Sequence, residues 1–318
     1  MKSPAGVNWG TLLFRRGATA LVTLWGVTVV TFFIVYRLPG DPAALLAGPR
    51  ADPATISQIR ESLGLNQPPL QQYGGYITRL VRGDLGVSYV RREPVSRLIA
   101  QRLPATLALG LTAWAIWLVL GSAIGVWAAA RPTPLREGAM LAFSVIGVST
   151  PTFWVGILLL YVFVSRLGWL PAGGGGSFKH MILPLAALSL TGVAYYSRLA
   201  HASLRGTLGQ DFIRTARAKG LPESQVILRH GLRNALLPLV TLAGTDLASL
   251  LSGVVFTETV FDWKGMGLLA VESVSNLDIP MILGVVLISA VLVVASNLVV
   301  DLVYPLLDPR IEVADSAV

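Results

Sequence analysis

Side chains able to carry out catalysis or hold a metal are few in this sequence and far apart. There is no cysteine, so a thiolate nucleophile, a disulfide and a Cys-based metal site are all excluded. His180, His201 and His230 fall in separate segments and form neither an HExxH-type metal pair nor a nucleophile relay. No Gly-Lys dipeptide occurs anywhere, so the chain cannot build a P-loop for ATP. The glycine run Gly173–Gly176 is not followed by a dinucleotide-site fingerprint and reads as a loop. Gly-x-Ser-x-Gly is absent as well, which removes the usual support for a membrane-embedded hydrolase. The expectation is a chain that is not an enzyme and carries no cofactor of its own.

Two features remain that could act. One is Asp246, set among Leu242, Leu247, Leu250 and Leu251. A carboxylate at the centre of a membrane helix costs about 2.5–3.5 kcal/mol on insertion scales, so it must face a cavity or a partner. It either lines a path, where Tyr195 and Tyr196 could join it, or makes a hydrogen bond between helices. The other feature is the basic stretch 203–235. Asp211-Phe212-Ile213-Arg214-Thr215-Ala216-Arg217-Ala218-Lys219 has helix formers with an acid at the start, where the helix dipole favours one. Gly220 suits the left-handed residue after a helix, and Pro222-Glu223 suit the first turn of the next. Val226, Ile227, His230 and Asn234 then recur at helical spacing. The pattern predicts helix, sharp turn, helix. Such a pair either enters a groove on a partner, with Ala216, Ala218 and Gly220 allowing close approach, or lies on anionic headgroups through its Arg and Lys residues.

The elements that position these residues are membrane spans. Of the 318 residues 53% are hydrophobic and only 13% charged, against about a quarter charged in soluble domains. A span takes about 20 mostly apolar residues to cross about 30 Å of hydrocarbon. Six stretches satisfy this: Ala18–Tyr36, Ala105–Ala130, Gly138–Ser165, Met181–Leu199, Leu236–Phe256 and Met281–Val303. The first is too long for a signal peptide and lacks a small-residue cleavage site, so it reads as an uncleaved anchor. The net charge of +8 fits topology better than nucleic acid, because Lys and Arg gather in short cytoplasmic loops. Arg15, Arg16, Arg131, Arg136, Arg198, Arg205, Arg214, Arg217, Lys219, Arg229, Arg233 and Arg310 all fall inside if both termini are cytoplasmic. Arg37–Arg102 is then an external segment, either a cap packed on the spans or a docking surface. Asp52-Pro53 and Ser62–Pro69 look like helix boundaries within it. Within span three, Pro151 is either a hinge or a proline accommodated by polar neighbours. Gly121 and Gly125 have the spacing for close helix packing.

The loop resembles the segment by which permeases of bacterial ABC importers engage their ATPases. The general family pattern is Glu-Ala-Ala, three residues, Gly, and later Leu-Pro. This chain has Arg214-Thr215-Ala216, three residues, Gly220, and later Leu237-Pro238, without the Glu and first Ala. Arg214–Leu221 and Arg229–Pro238 match the form found in the dipeptide/oligopeptide/nickel permeases. Leu38-Pro39-Gly40-Asp41-Pro42, Gly83–Ser88, Arg102–Leu107, Glu258-Thr259-Val260-Phe261, Gly265-Met266-Gly267 and Leu306–Ile311 match further blocks. Lys264 stands where that family usually has Pro. The segment after span one resembles the first of the two permease types that pair in the family.

The resemblance implies an all-α integral membrane protein: a type I importer-like permease bundle of six transmembrane helices with a small external domain after the first. The expected layout is 1–36 for the cytoplasmic N-terminus and first helix and 37–103 for the external segment. Residues 104–303 are the core bundle with its coupling loop 203–235, and 304–318 a cytoplasmic tail. The ATPase-coupling residues implied are Arg214, Thr215, Ala216, Arg217, Ala218, Lys219, Gly220 and Leu221. Partners implied are a second homologous permease, two cytoplasmic ABC ATPases that carry ATP and Mg, an external substrate-binding protein and membrane lipid. The location is the bacterial inner (plasma) membrane and the expected cargo is di- or oligopeptides, although relatives of similar sequence are associated with nickel or metal chelates and glutathione. The opposing expectation is an ion-coupled secondary transporter using Asp246. It requires inverted repeats with broken helices, which the sequence does not display, and it leaves the 203–235 loop without a role.

Overall fold

The computed structural model describes residues 9–37, 40–175, 177–252 and 254–307. Leu38-Pro39 and the tail residues 308–318, with Asp308-Pro309-Arg310-Ile311, lie outside the described residues, as do positions 1–8 of the cytoplasmic N-terminus. The described chain is helical, with a single isolated β-bridge between Val87 and Pro94. Helices α1 (Trp9–Tyr36), α5 (Val95–Ala130), α8 (Phe178–Leu208) and α14 (Ile279–Leu307) each contain a stretch long and apolar enough to cross a membrane. Two bent pairs complete six crossings: α6 (Pro134–Ser149) with α7 (Thr152–Arg166), and α10 (Glu223–Ala235) with α11 (Leu237–Leu251).

The bends correct the expectation of a sequence without broken helices, and at Pro151 the chain turns sharply. α6 and α7 meet at 94°. Pro151 has no N–H to donate and forces the residue before it out of helical geometry; Thr150 is extended (φ −90°, ψ 121°) and α7 restarts after the proline. α10 and α11 meet at 44° next to Pro238. The fifth span also stops at Leu251, short of Phe256, and two short helices follow, α12 (Val255–Val260) and α13 (Met266–Ser275).

α8 is the central post, and glycines let its neighbours approach. A Cβ at Gly121 would lie 2.4 Å from Tyr196 Cβ, one at Gly125 2.3 Å from the Ser197 carbonyl, and one at Gly147 2.4 Å from Ala194 Cβ. Gly192 on α8 receives the Trp117 ring, where α5 carries a π-helical turn, Trp117–Gly121.

After α1 come α2 (Pro42–Ala47), α3 (Pro53–Ser62) and α4 (Pro69–Val81). The first two open on Asp-Pro, with Asp41 accepting from Ala43 N at 3.0 Å and Asp52 from Thr55 N at 3.3 Å. This is the capping chemistry of helix starts. α4 closes over the bundle by burying Tyr76 against Phe32, Val35, Ile282 and Leu283. α5 starts at Val95 and runs unbroken through Pro104, so the residues before Ala105 and the second span form one continuous helix. Asp278, just before α14, ties the 88–90 turn to the bundle by accepting from Ser88 Oγ, Tyr89 N and Val90 N.

Candidate coupling surface and membrane-embedded polar contacts

The 203–235 stretch folds as a braced helix pair. α8 continues through its first residues to Leu208, then α9 (Asp211–Ala218) is joined to α10 through Gly220, which sits at φ +75°. Ile213, Ala216 and Val226 form the core of the pair, with Leu208 and Leu221 packed against them. The Ser203 hydroxyl donates to the Ala235 carbonyl at 2.8 Å, closing the stretch end to end. Gly231 packs on Leu204 and Leu208, both 3.2 Å from where its Cβ would stand. Across the turn, Arg217 donates twice to the Glu223 carboxylate, at 2.7 and 3.1 Å. That pair holds the Glu223 carboxyl below its ordinary range and the Arg217 guanidinium above its own.

The eight residues singled out divide by this geometry. Arg214, Thr215, Arg217, Ala218, Lys219 and Gly220 are exposed, Leu221 is half-buried, and Ala216 is buried. Ala216 therefore serves the pair's own core. Arg214 is 76% exposed in its side chain and reaches back to Asp211 at 3.3 Å. Arg214, Arg217 and Lys219 leave the exposed surface of α9 and its C-terminal end basic.

In the bundle, the Tyr196 hydroxyl donates to Asp246 Oδ2 at 2.7 Å, linking α8 to α11. Tyr196 is fully buried, so it presents no surface to a path; Tyr195 is 41% exposed. Asp246 is half-buried and keeps one carboxylate edge outside that contact. Trp114 Nε1 donates to the Ala243 carbonyl at 2.6 Å, a second tie onto α11. Among the described residues no group of three or more His, Asp or Glu could hold a metal ion.

Sequence reasoning did not single out Glu258 as a functional residue, although it lies in a matched block. It is completely buried. The Thr106 hydroxyl donates to its Oε1 at 2.7 Å, and Leu268 N to its Oε2 at 3.0 Å. Met266 N donates in turn to Thr106 Oγ1 at 2.7 Å. A Cβ on Gly265 would meet the Glu258 carboxylate at 2.4 Å and one on Gly267 at 3.0 Å, so those glycines make room for it. Trp263 Nε1 donates to the Ala105 carbonyl at 3.0 Å, and Gly173 packs under the Phe261 carbonyl. Three blocks read separately in the sequence, around Thr106, Glu258 and Gly265, are one assembly at the end of the bundle away from α9.

A six-crossing bundle with a braced two-helix loop defines a class of membrane transport component, and the comparisons place the chain in it. Residues 121–313 match the family "Binding-protein-dependent transport system inner membrane component", and residues 11–110 match its N-terminal companion family. The chain belongs to this family of ABC importer permeases. It is a multi-pass inner-membrane transport subunit and not an enzyme. Among its relatives, the glutathione transport system permease protein GsiC of Escherichia coli O6:H1 is 43% identical over 299 residues, covering 94% of this chain and 98% of the relative. Solved structures share the fold. A chain of an amino acid ABC transporter, solved with histidines, superposes with TM-score 0.52 at 16% identity, over 66% of this chain and 94% of its own length. A chain of the MetNI methionine ABC transporter, in an inward-facing form, gives 0.51 at 19% identity, over 65% and 96%.

Proposed function

We propose that this chain forms half of the translocation pathway of an importer for glutathione or similarly short peptides, and transmits ATP-driven motion through Arg214–Leu221. The observation that carries the reading is the basic, exposed edge of α9 on a helix pair fastened to both α8 and α11. A force applied there reaches two spans without being absorbed by a flexible loop. In this reading both termini and the α9 edge are cytoplasmic, two ATPases carrying ATP and Mg bind that edge, and a second homologous permease completes the pathway. An external substrate-binding protein delivers cargo to the opposite face, where the segment between α1 and α5 lies. ATP-driven closure of the ATPases turns the bundle outward; hydrolysis and ADP release reset it inward. The glutathione relative supports the cargo class, a short peptide with both charges.

The test is affinity isolation of the chain, mildly solubilised from its native membrane, followed by transport in liposomes. Co-isolation of a second permease and P-loop ATPases, with glutathione uptake that needs ATP, is the expected result. A lone chain from intact membranes, or an ATPase rate indifferent to substitution throughout Arg214–Leu221, overturns the coupling assignment.

A further inference from the structure

The face of the bundle opposite α9 carries a cleft that the transport reading leaves unused. It has a volume of about 380 Å³ and lies between the last turn of α1, the α3–α4 turn, α4 and the first turn of α14. Its floor is apolar: Phe32, Tyr76, Leu85, Pro280 and Leu283. Its walls are polar, with Gln67 and Gln71 beside two opposite charges, Glu61 and Arg79.

Among the described residues neither charge has an ion-pair partner, whereas Arg60 in an adjoining cleft is paired with Asp41. Among the described residues, the side chains of Glu61 and Arg79 make no hydrogen bond and no ion pair, and both residues are exposed. The cleft thus offers one cation and one anion on a shared rim above an apolar base.

Depth in the membrane identifies the occupant. The apolar stretch of α1 ends at Tyr36 and that of α14 begins at Ile279. Phe32 and Leu283 each lie one helical turn, about 6 Å, inside those ends. The floor is therefore at the edge of the hydrocarbon and the charged rim at the level of the headgroups. A second cleft of about 190 Å³ adjoins it, sharing Phe32, Leu65, Gln72 and Ile279, and continues along Val35, Tyr36 and Ile282. It extends the apolar track beside the polar rim.

We propose that this cleft binds the headgroup of a zwitterionic aminophospholipid, phosphatidylethanolamine, with the phosphate on Arg79, the ammonium on Glu61 and an acyl chain along the Phe32–Ile282 track. A guanidinium matches phosphate oxygens by paired hydrogen bonds. An anionic lipid without an ammonium would set its charge against Glu61 and leave that carboxylate unmatched. A soluble zwitterion would satisfy the rim and leave the apolar floor wet.

The experiment is native mass spectrometry of the full chain, released from detergent after exposure to equal amounts of phosphatidylethanolamine and phosphatidylglycerol. Retention of the ethanolamine lipid should exceed that of the glycerol lipid by about fivefold, the ratio a single exposed ion pair can supply. Arg79→Ala and Glu61→Ala should each erase the preference. Arg82→Ala, three residues on and outside the cleft, should keep it. A competition arm uses the unaltered protein, so it does not depend on how the variants fold. Excess O-phosphoethanolamine should displace the lipid poorly, because it lacks the chain. Equal retention of both lipids, a preference that survives both substitutions, or complete displacement by the soluble headgroup or by glutathione would each overturn the proposal; the last would assign the cleft to a soluble zwitterion.

Discussion

At the scale of single residues, the carboxylates of buried Glu258 and half-buried Asp246 do different work. Glu258 is enclosed by donors from two other elements, so Glu258→Ala strands the Thr106 hydroxyl and the Leu268 N–H in a dry site. Each stranded group costs about 1–3 kcal/mol, and thermal unfolding of the solubilised chain should shift down accordingly. Burial raises the Glu258 carboxyl above its ordinary 4.5, against the pull of Thr106, the 267–268 backbone and Arg102. A raised acid gives stability that is complete below the unfolded value and is lost as pH rises through the folded one. Unfolding temperature should therefore fall as pH climbs from about 4.5, and Glu258→Gln should flatten that slope. For Asp246, the bond from Tyr196 ties α8 to α11, and the residue is only half-buried. A double-mutant cycle of Asp246→Ala with Tyr196→Phe should return a coupling of about 0.6 kcal/mol, the common size for such bonds between membrane helices. Asp246→Asn keeps an acceptor for the tyrosine. If that variant transports at full rate, the carboxylate does no more than pack.

At the scale of elements, the α9–α10 turn depends on one backbone conformation. Gly220 sits at φ +75°, with nothing within 4 Å of where a Cβ would stand. Gly220→Ala is therefore a test of the backbone alone: it should cost about 1–2 kcal/mol, and lower substrate-stimulated ATPase activity of the assembled complex while leaving assembly intact. Gly220→Asn should be milder, since Asn tolerates this region. This turn was legible in the sequence because its signals are local: an acid at the start, glycine after the end, proline at the restart. The direction of Ala216 was not, because which side of a short helix faces its neighbour is decided by Val226 and Leu208, ten and eight residues away. The continuity of α5 through Pro104 was hidden for a similar reason. One missing N–H looks like a boundary until Asp278 and the 88–90 turn are seen to hold the helix start. Glu258, Thr106 and Gly265 were visible only as separate motifs; that a carboxylate fills the space left by two missing side chains is a fact of three dimensions.

At the scale of the whole molecule, hydropathy was enough to find six crossings, since a low-dielectric slab demands long apolar runs. It could not show that the third crossing bends by 94°, because the composition of α6 and α7 together equals that of a straight span. That bend has a consequence for the surrounding lipid. α6 has 16 residues, and at about 1.5 Å per residue it reaches only about 24 Å; α7 is no longer, and the two meet almost at right angles. Neither limb alone covers a hydrocarbon slab of about 30 Å, so the height of this crossing is set by the angle between its limbs, while the long α5, α8 and α14 each span it singly. A crossing whose height depends on one angle makes the protein responsive to acyl-chain length. Transport in liposomes of defined monounsaturated lipids should decline as the chains lengthen beyond those of the native membrane, and a Pro151→Ala variant that opens the angle should shift the optimum toward thicker bilayers.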